Sequence, residues 1–269
     1  MPELPEVETI VRDLRDLIVG RKIIGTSFLR KSVWRKHAPK PVMLVNSLID
    51  SIERKGKNIL IHLSNRRTLI VHLKMTGRLT FEIPAVPIKK HTHLVIDLDG
   101  AHLRFNDIRR FGYLDLVEST KLSNLDYIAF LGPDALEISE DDFVKLIRSR
   151  SRIIKSMLLD QTITSGLGNI YSDESLYLAK IYPKKVSSSL SKAKARQLYA
   201  AIRQILLMAI KNRGSSVDDY VDARGGKGSH QNFFSVYGRE GEPCFVCGHL
   251  IKRIIIGSRS CHYCPRCQR

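Results

Sequence analysis

The two ends of this sequence carry residues equipped for chemistry. The chain begins Met1-Pro2-Glu3-Leu4-Pro5-Glu6. A small residue after Met1 predicts removal of the initiator methionine, which leaves the secondary amine of Pro2 as the chain end. A helix predicted to start beside it places that amine at the positive end of the helix dipole, which disfavours protonation and lowers its pKa. An unprotonated secondary amine is a nucleophile that forms an iminium with a sugar aldehyde carbon. Glu3 and Glu6 add neighbouring carboxyls that can move protons. The plainer reading is a proline in a first helical turn, with acids complementing the dipole.

At the other end, five cysteines fall within the last 26 residues, which is not how a disulfide-stapled secreted fold spreads them. Cys244-x2-Cys247 is followed by sixteen residues and then Cys264-x2-Cys267. Each pair can place two thiolates on one tetrahedral zinc, and the stretch between them is long enough to return as a β-hairpin. Two redox dithiols are the alternative, but the tail lacks a thioredoxin-like βαβ context. Cys261 and His262 read as non-ligands because the four-cysteine set already closes the site.

Between these ends lie weaker signals. Lys145, Arg148, Arg150, Arg152 and Lys155 form a run without acids. On a continuous helix Lys145, Arg148, Arg152 and Lys155 share one face, where they suit tracking of phosphates. Arg150 then lands among apolar residues, which predicts a helix break near residues 149–151. Ser165-Gly166-Leu167-Gly168-Asn169 reads as a Gly-lined turn opening a helix with Asn169 as N-cap, leaving backbone N–H groups free for a phosphate oxygen. A simple helical corner is the competing reading. Lys57 shares strand parity with Ile59, Ile61 and Leu63, so it is either a strand-end lysine reaching outward or a partly desolvated functional amine.

These residues need positioning elements. Leu4, Val7, Ile10, Val11, Leu14, Leu17 and Ile18 recur at helical spacing, and Gly20 marks a stop. From about residue 22 to 118 short β-rich runs take over: KIIGTSFL, NILIHL, TLIVHLKM, THLVIDL, AHLRF and GYLDLV, with turns at Ser64-Asn65 and Asp99-Gly100. This predicts a β-sandwich or barrel carrying an N-terminal helix. Residues 119–140 read as a connection broken at Gly132-Pro133, and helical patterns continue to about residue 212, clearest over 198–210. The expected fold class is α+β multidomain, with a β-rich N-terminal domain (2–118), a helical domain (134–222) and a zinc-bound hairpin (235–269).

The 269 residues include 44 Lys+Arg against 27 Asp+Glu, a net charge of +17. Such an excess points to a polyanionic partner, nucleic acid above all. No apolar stretch approaches the ~20 residues of a membrane span, and Glu3, Glu6 and Glu8 stand where a secretion signal would be basic and then apolar. The expectation is an intracellular protein with no membrane partner.

Taken in order, MPELPEVET, HLKMTGRL, DIRRFGY, GLGNIYSDESL, VYGREGEPC and the CxxC…CxxC tail resemble bacterial formamidopyrimidine-DNA glycosylase, an 8-oxoguanine DNA glycosylase and AP lyase. The resemblance runs essentially end to end. It implies an N-terminal β-sandwich, a helix-two-turn-helix domain and one structural Zn2+ per chain held by Cys244, Cys247, Cys264 and Cys267. It implies a cytoplasmic, nucleoid-associated monomer acting on double-stranded DNA with oxidised purines (8-oxoguanine, formamidopyrimidines) or abasic sites. Catalysis would run through a Schiff base on Pro2, with Glu3 as acid, Lys57 for β-elimination and Arg259 for δ-elimination. Met75, Arg109 and Phe111 match the residues that fill the void left by a flipped base. His91, Arg150, Lys155 and Asn169 match positions that contact the DNA backbone. Two departures stand out: Ser156 replaces the family's proline after Lys155, and residues 217–231, matching a loop that closes over the flipped base, leave lesion preference open. The rivals are a non-catalytic binder of damaged DNA and an enzyme turned toward oxidised pyrimidines, the latter opposed by Met75-Arg109-Phe111.

Overall fold

Leu4, Val7, Ile10, Val11, Leu14 and Ile18 line the buried side of helix α1 (Leu4–Ile18), as their spacing predicts. The helix stops where Gly20 takes a φ of +82°, and Arg21 N–H closes on Ile18 O at 3.1 Å. The computed structural model describes residues 1–269, Lys31 by its backbone alone.

Eight strands follow: β1 (Ile23–Phe28), β2 (Ile49–Lys55), β3 (Asn58–Leu63), β4 (Arg67–His72), β5 (Gly77–Glu82), β6 (Thr92–Leu98), β7 (Ala101–Asp107) and β8 (Tyr113–Glu118). They form two antiparallel four-stranded sheets, ordered β1-β6-β7-β5 and β2-β3-β4-β8. Val7, Ile10 and Leu14 of α1 join Ile96, Leu103 and Phe105 of the first sheet and Ile59, Ile61 and Val71 of the second in one apolar cluster. That is the expected sandwich with its helix. The turn at Asp99-Gly100 is a two-residue hairpin with Gly100 at φ +69°, whereas Ser64-Asn65 extends to Arg66, which takes the positive φ of 60°.

Strands β2 and β5 were not among the predicted runs. In β2 only Ile49 and Ile52 are buried, because a register shift between Ile49 and Ser51 breaks the period-two pattern. Lys57 is a second correction. It lies in no strand: Gly56 and Lys57 are the two-residue loop between β2 and β3, with Gly56 at φ +58° as a type II′ turn requires at its first position. The parity argument therefore does not apply to it.

After α2 (Asp126–Ala129) come α3 (Glu140–Arg148), α4 (Ile154–Leu159), α5 (Asn169–Leu178), α6 (Lys192–Lys211) and the hairpin β9 (Lys252–Ile256) with β10 (Arg259–Tyr263). The break foreseen near residues 149–151 is present, held by Ser187, whose N–H reaches Arg152 O at 2.8 Å and whose hydroxyl bonds Arg150 O. Because the helix breaks, the four basic residues do not share a face. Arg152 pairs with Asp160 at 2.9 Å, Arg148 donates to Leu190 O at 3.0 Å, and Lys155 is buried. By packing, the chain divides into Met1–Ala129 with Asn212–Gln231, and Phe130–Lys211 with Asn232–Arg269. This differs from the three units read from composition: residues 212–231 return to the β-rich unit, and the cysteine hairpin packs with the helices.

Candidate active site and nucleic-acid interface

In the first unit, Pro2 and Glu3 are buried at the start of α1, and Glu3 is its N-cap. Glu3 and Glu6 close a reciprocal capping box, with Glu3 N–H donating to Glu6 Oε2 at 2.8 Å. The other oxygen, Glu6 Oε1, accepts the Ser215 N–H at 2.8 Å. Glu6 therefore holds backbone with both oxygens. The Glu3 side chain in turn accepts the Glu6 N–H, so both carboxylates cap the start of the helix that carries Pro2. Gly214 makes the approach possible: it takes φ +77°, and a Cβ there would lie 2.9 Å from Glu6 Oε1. Residues 213–226 are further fixed by Asp222, which accepts the Arg224 and Gly226 N–H groups at 2.9 and 2.8 Å and pairs with Arg213, itself bound to Asp13 at 2.5 Å. The segment thus has an internal carboxylate anchor.

Lys57 is buried in its turn, next to the registered pair Asn58–His72. His72 Nδ1 accepts the Lys74 N–H at 3.0 Å, which places its proton on Nε2. Burial, and then the charges of Lys74, Lys57 and Arg35, push the imidazole down to about 3, so it is a neutral donor at working pH. Its ring stacks on Tyr113 with centroids 5.3 Å apart, and the Arg35 guanidinium lies 4.1 Å from the same ring. Arg35 is placed there by its N–H bond to Leu114 O at 2.9 Å. His72, Lys74 and Arg35 thus gather donors suited to phosphate oxygens around one aromatic ring. His72, Lys74 and Arg35 were missed from sequence. The His-x-Lys spacing in HLKM was the only local sign, and Arg35 has none.

Met75, Arg109 and Phe111 are all exposed, and one buried carboxylate organises both loops that carry them. Asp107 accepts the Thr76 hydroxyl and, at 3.1 Å, the Arg109 N–H on Oδ1; the Gly112 N–H reaches Oδ2 at 2.7 Å. The Arg109 guanidinium sits 4.7 Å from the Phe111 ring centroid. Gly77 and Gly112 allow this: a Cβ on Gly77 would strike Leu73 O, and one on Gly112 would lie 2.8 Å from the Phe105 ring. His91 is half-buried just before β6, and its carbonyl accepts the Asp107 N–H at 3.0 Å, so it borders the same loop. An exposed methionine, arginine and phenylalanine side by side can wedge into a base stack.

In the second unit, Cys244, Cys247, Cys264 and Cys267 bring their sulfurs within 4.8 Å of one another. Four thiolates at about 2.3 Å from one tetrahedral zinc lie about 3.8 Å apart, and the observed 3.4 Å (Cys247–Cys264) and 3.9 Å (Cys244–Cys267) fit that ion. The Tyr177 hydroxyl lies 3.2 Å from Cys244 Sγ. Cys261 and His262 lie outside the cluster, as expected. Arg259 is exposed at the first position of β10, beside the hairpin turn. Helix α5 carries the module: besides Tyr177, Glu174 accepts the N–H groups of Ser235, Val236 and Tyr237 at 2.8, 2.9 and 2.8 Å.

Arg150 is exposed in the break between α3 and α4, open to a phosphate. Asn169 is not the N-cap. Gly168 holds that position and Asn169 is the first helical residue, with Nδ2 at 3.5 Å from Ser260 Oγ. Lys155 is the clearest correction: it is wholly buried and its ammonium donates to Asn169 O, Ser172 Oγ and Asp173 Oδ1 at 2.9, 2.8 and 2.7 Å. All three ammonium protons are used inside the protein, so none is left for DNA.

Comparison with known proteins agrees with this geometry. Family models match in chain order: the formamidopyrimidine-DNA glycosylase N-terminal domain over residues 1–114, the H2TH domain of the same enzymes over 131–221, and the zinc finger found in FPG and IleRS over 241–269. The formamidopyrimidine-DNA glycosylase of Desulforamulus reducens is 42% identical, covering 100% of this chain and 99% of its own, and that of Solibacter usitatus is 43% identical over the whole of both chains. Among solved structures, a Lactococcus lactis FPG mutant bound to Fapy-dG-containing DNA has a TM-score of 0.91 at 36% identity over 100% of both chains. MutM bound to DNA with a carbocyclic 8-oxo-G has a TM-score of 0.90 at 35% identity, also over the full length of both. From the N-terminal Pro-Glu pair to the four-cysteine hairpin, this chain belongs to the formamidopyrimidine-DNA glycosylase family.

Proposed function

We infer that this protein is a base-excision repair enzyme, a bifunctional DNA glycosylase and AP lyase that removes oxidised purines from DNA. The observation that carries the reading is the full-length family match combined with the buried Pro2-Glu3 pair at the head of α1. Relatives of the same fold are bound to DNA containing Fapy-dG, an 8-oxo-G analogue or an abasic site, which supports the same substrates here.

In the proposed mechanism, Met1 is removed and the Pro2 nitrogen attacks C1′ of the flipped nucleotide. The N-glycosidic bond breaks, its electron pair leaves with the base, and Glu3 supplies a proton to the ring oxygen or the departing base. The amine then loses its proton and the C1′–O4′ bond opens, its electron pair leaving on the ring oxygen, which is protonated. The resulting iminium acidifies the 2′ position, and loss of that proton expels the 3′ phosphate (β-elimination), with Lys57 proposed as the assisting amine. Arg259 grips the phosphate on the 5′ side and assists its departure (δ-elimination). Met75, Arg109 and Phe111 fill the vacated stack, with Arg109 suited to the orphaned cytosine. His91, Arg150 and Asn169 hold the backbone, joined by His72, Lys74 and Arg35. A zinc ion held by Cys244, Cys247, Cys264 and Cys267 would brace the hairpin that presents Arg259. The proposed roles are catalysis by the β-rich unit, DNA binding by the helices and phosphate gripping by the cysteine hairpin, in a monomer working at the bacterial nucleoid.

Duplexes carrying 8-oxoguanine opposite cytosine, a formamidopyrimidine or an oxidised pyrimidine test the reading. The expected result is strand cleavage at the two purine lesions leaving phosphate at both gap ends, with the pyrimidine duplex cut more slowly. Preferential cutting of the pyrimidine lesion would overturn the substrate assignment, and binding without cleavage would overturn the enzyme.

A further inference from the structure

Lys155 and Asp173 are both wholly buried, with Nζ and Oδ1 2.7 Å apart. Two charges taken out of water are costly unless their hydrogen-bonding capacity is met inside. Here it is met, and the partners say what the pair is for. Lys155 holds Asn169 O and Ser172 Oγ, at the start of α5. Asp173 reaches the other way: its Oδ1 accepts the Cys261 thiol at 3.0 Å and its Oδ2 the His262 N–H at 2.9 Å, with His262 Nδ1 3.4 Å from the same oxygen. One carboxylate on α5 therefore grips two consecutive residues of β10, one through its side chain and one through its backbone.

The position of that grip along the hairpin matters. Cys264 ties the far end of β10 to the zinc cluster, five residues from Arg259, while Cys261 is only two residues away. Strand periodicity puts Arg259 and Cys261 on the same face of β10. Ser260 between them meets Asn169 Nδ2 at 3.5 Å. A closed circuit thus runs from Lys155 through Asn169, Ser260, Cys261 and Asp173 back to Lys155, and Arg259 extends from it. Burial and the Asp173 charge push the Cys261 thiol far up, so it remains a protonated donor.

We propose that Asp173, acting through the Cys261 thiol, is a positioning residue that aims Arg259 for δ-elimination. The inference rests on the reading of Arg259 as the phosphate-gripping group. It also gives the fifth cysteine a role that zinc binding does not.

The test uses zinc-loaded full-length protein on an 8-oxoguanine duplex and reads the ratio of δ- to β-elimination product, alongside zinc content and the rate of borohydride trapping. Cys261→Val keeps the bulk and removes the donor. The δ/β ratio should fall about tenfold, since sub-ångström misaiming of one group is enough for that, while trapping and zinc content stay at wild-type values. Cys261→Ser supplies a hydroxyl to Asp173 and should restore the ratio. A wild-type ratio in Cys261→Val, a serine variant as defective as the valine one, or a proportional fall in trapping and elimination would each overturn the proposal. If Cys261→Val fails to retain zinc, Cys261→Ala is judged by the same criteria. Arg259→Ala is the control: it should lose δ-product, and retention would overturn the Arg259 reading and this inference with it.

Discussion

Glu6 Oε1 accepts the backbone N–H of Ser215 at 2.8 Å across 209 positions of sequence, while its Oε2 accepts the N–H of Glu3. A single carboxylate thus joins the start of α1, where the proposed nucleophile sits, to the segment that follows α6. Neither oxygen can become a donor without opposing an N–H. Glu6→Gln should therefore destabilise the protein by about 1–3 kcal/mol, the cost of a buried donor left unmet. The check is a shift of the urea midpoint at unchanged m-value. An unshifted midpoint would deny Glu6 this role.

Asp107 does similar work for the loops of the proposed wedge. Asp107→Asn keeps the shape but turns one accepting oxygen into a donor facing an N–H or hydroxyl, loosening the loops of Met75, Arg109 and Phe111. Affinity for a lesion duplex should drop about tenfold, or about 1.4 kcal/mol. Titration of a labelled duplex measures it, and undiminished affinity would separate the carboxylate from the wedge.

His72 gives a pH signature. Its imidazole is held at about 3 in the folded protein, first by burial and then by neighbouring cations, against an ordinary 6.5. As pH falls below 6.5 the unfolded chain takes up a proton that the folded one refuses, so stability is lost on acidification until about pH 3. The slope for one such group is at most about 1.4 kcal/mol per pH unit. His230, lowered to about 4 by burial, contributes in the same direction. His72→Gln should flatten the stability profile between about pH 6 and 4 while leaving the His230 share. An identical slope in wild type and variant would contradict the neutral, buried assignment.

Chelation of zinc should release the hairpin and abolish strand cleavage, because four thiolates forced together without a cation repel one another. Readdition of Zn2+ should restore cleavage, whereas Mg2+ should not, since a hard cation has little affinity for sulfur. Cleavage that survives complete chelation would show the hairpin stands without the ion.

The two chain ends were legible in the sequence because their chemistry is local. CxxC spacing encodes a metal site directly, and the period of α1 fixes where Pro2 and Glu3 stand. What the sequence hid is long-range. Lys155 looks like any lysine in a basic run until folding places Asp173, eighteen positions on, against its ammonium. Asp107 and Thr76 are ordinary polar residues until β5 pairs with β7 and brings Gly77 opposite Asp107. Lys57 was misplaced for a local reason: a two-residue turn at Gly56 interrupts strand parity, and one glycine does not announce which side of it the strand resumes.

The most direct test of the mechanism is borohydride trapping on a duplex with 8-oxoguanine opposite cytosine, using protein whose N-terminal mass proves that Met1 is gone. A covalent adduct mapped by peptide sequencing to Pro2, and lost in Pro2→Gly, is the predicted result. Correctly processed, zinc-loaded protein that binds this duplex and an abasic one yet yields no adduct on either would contradict the account.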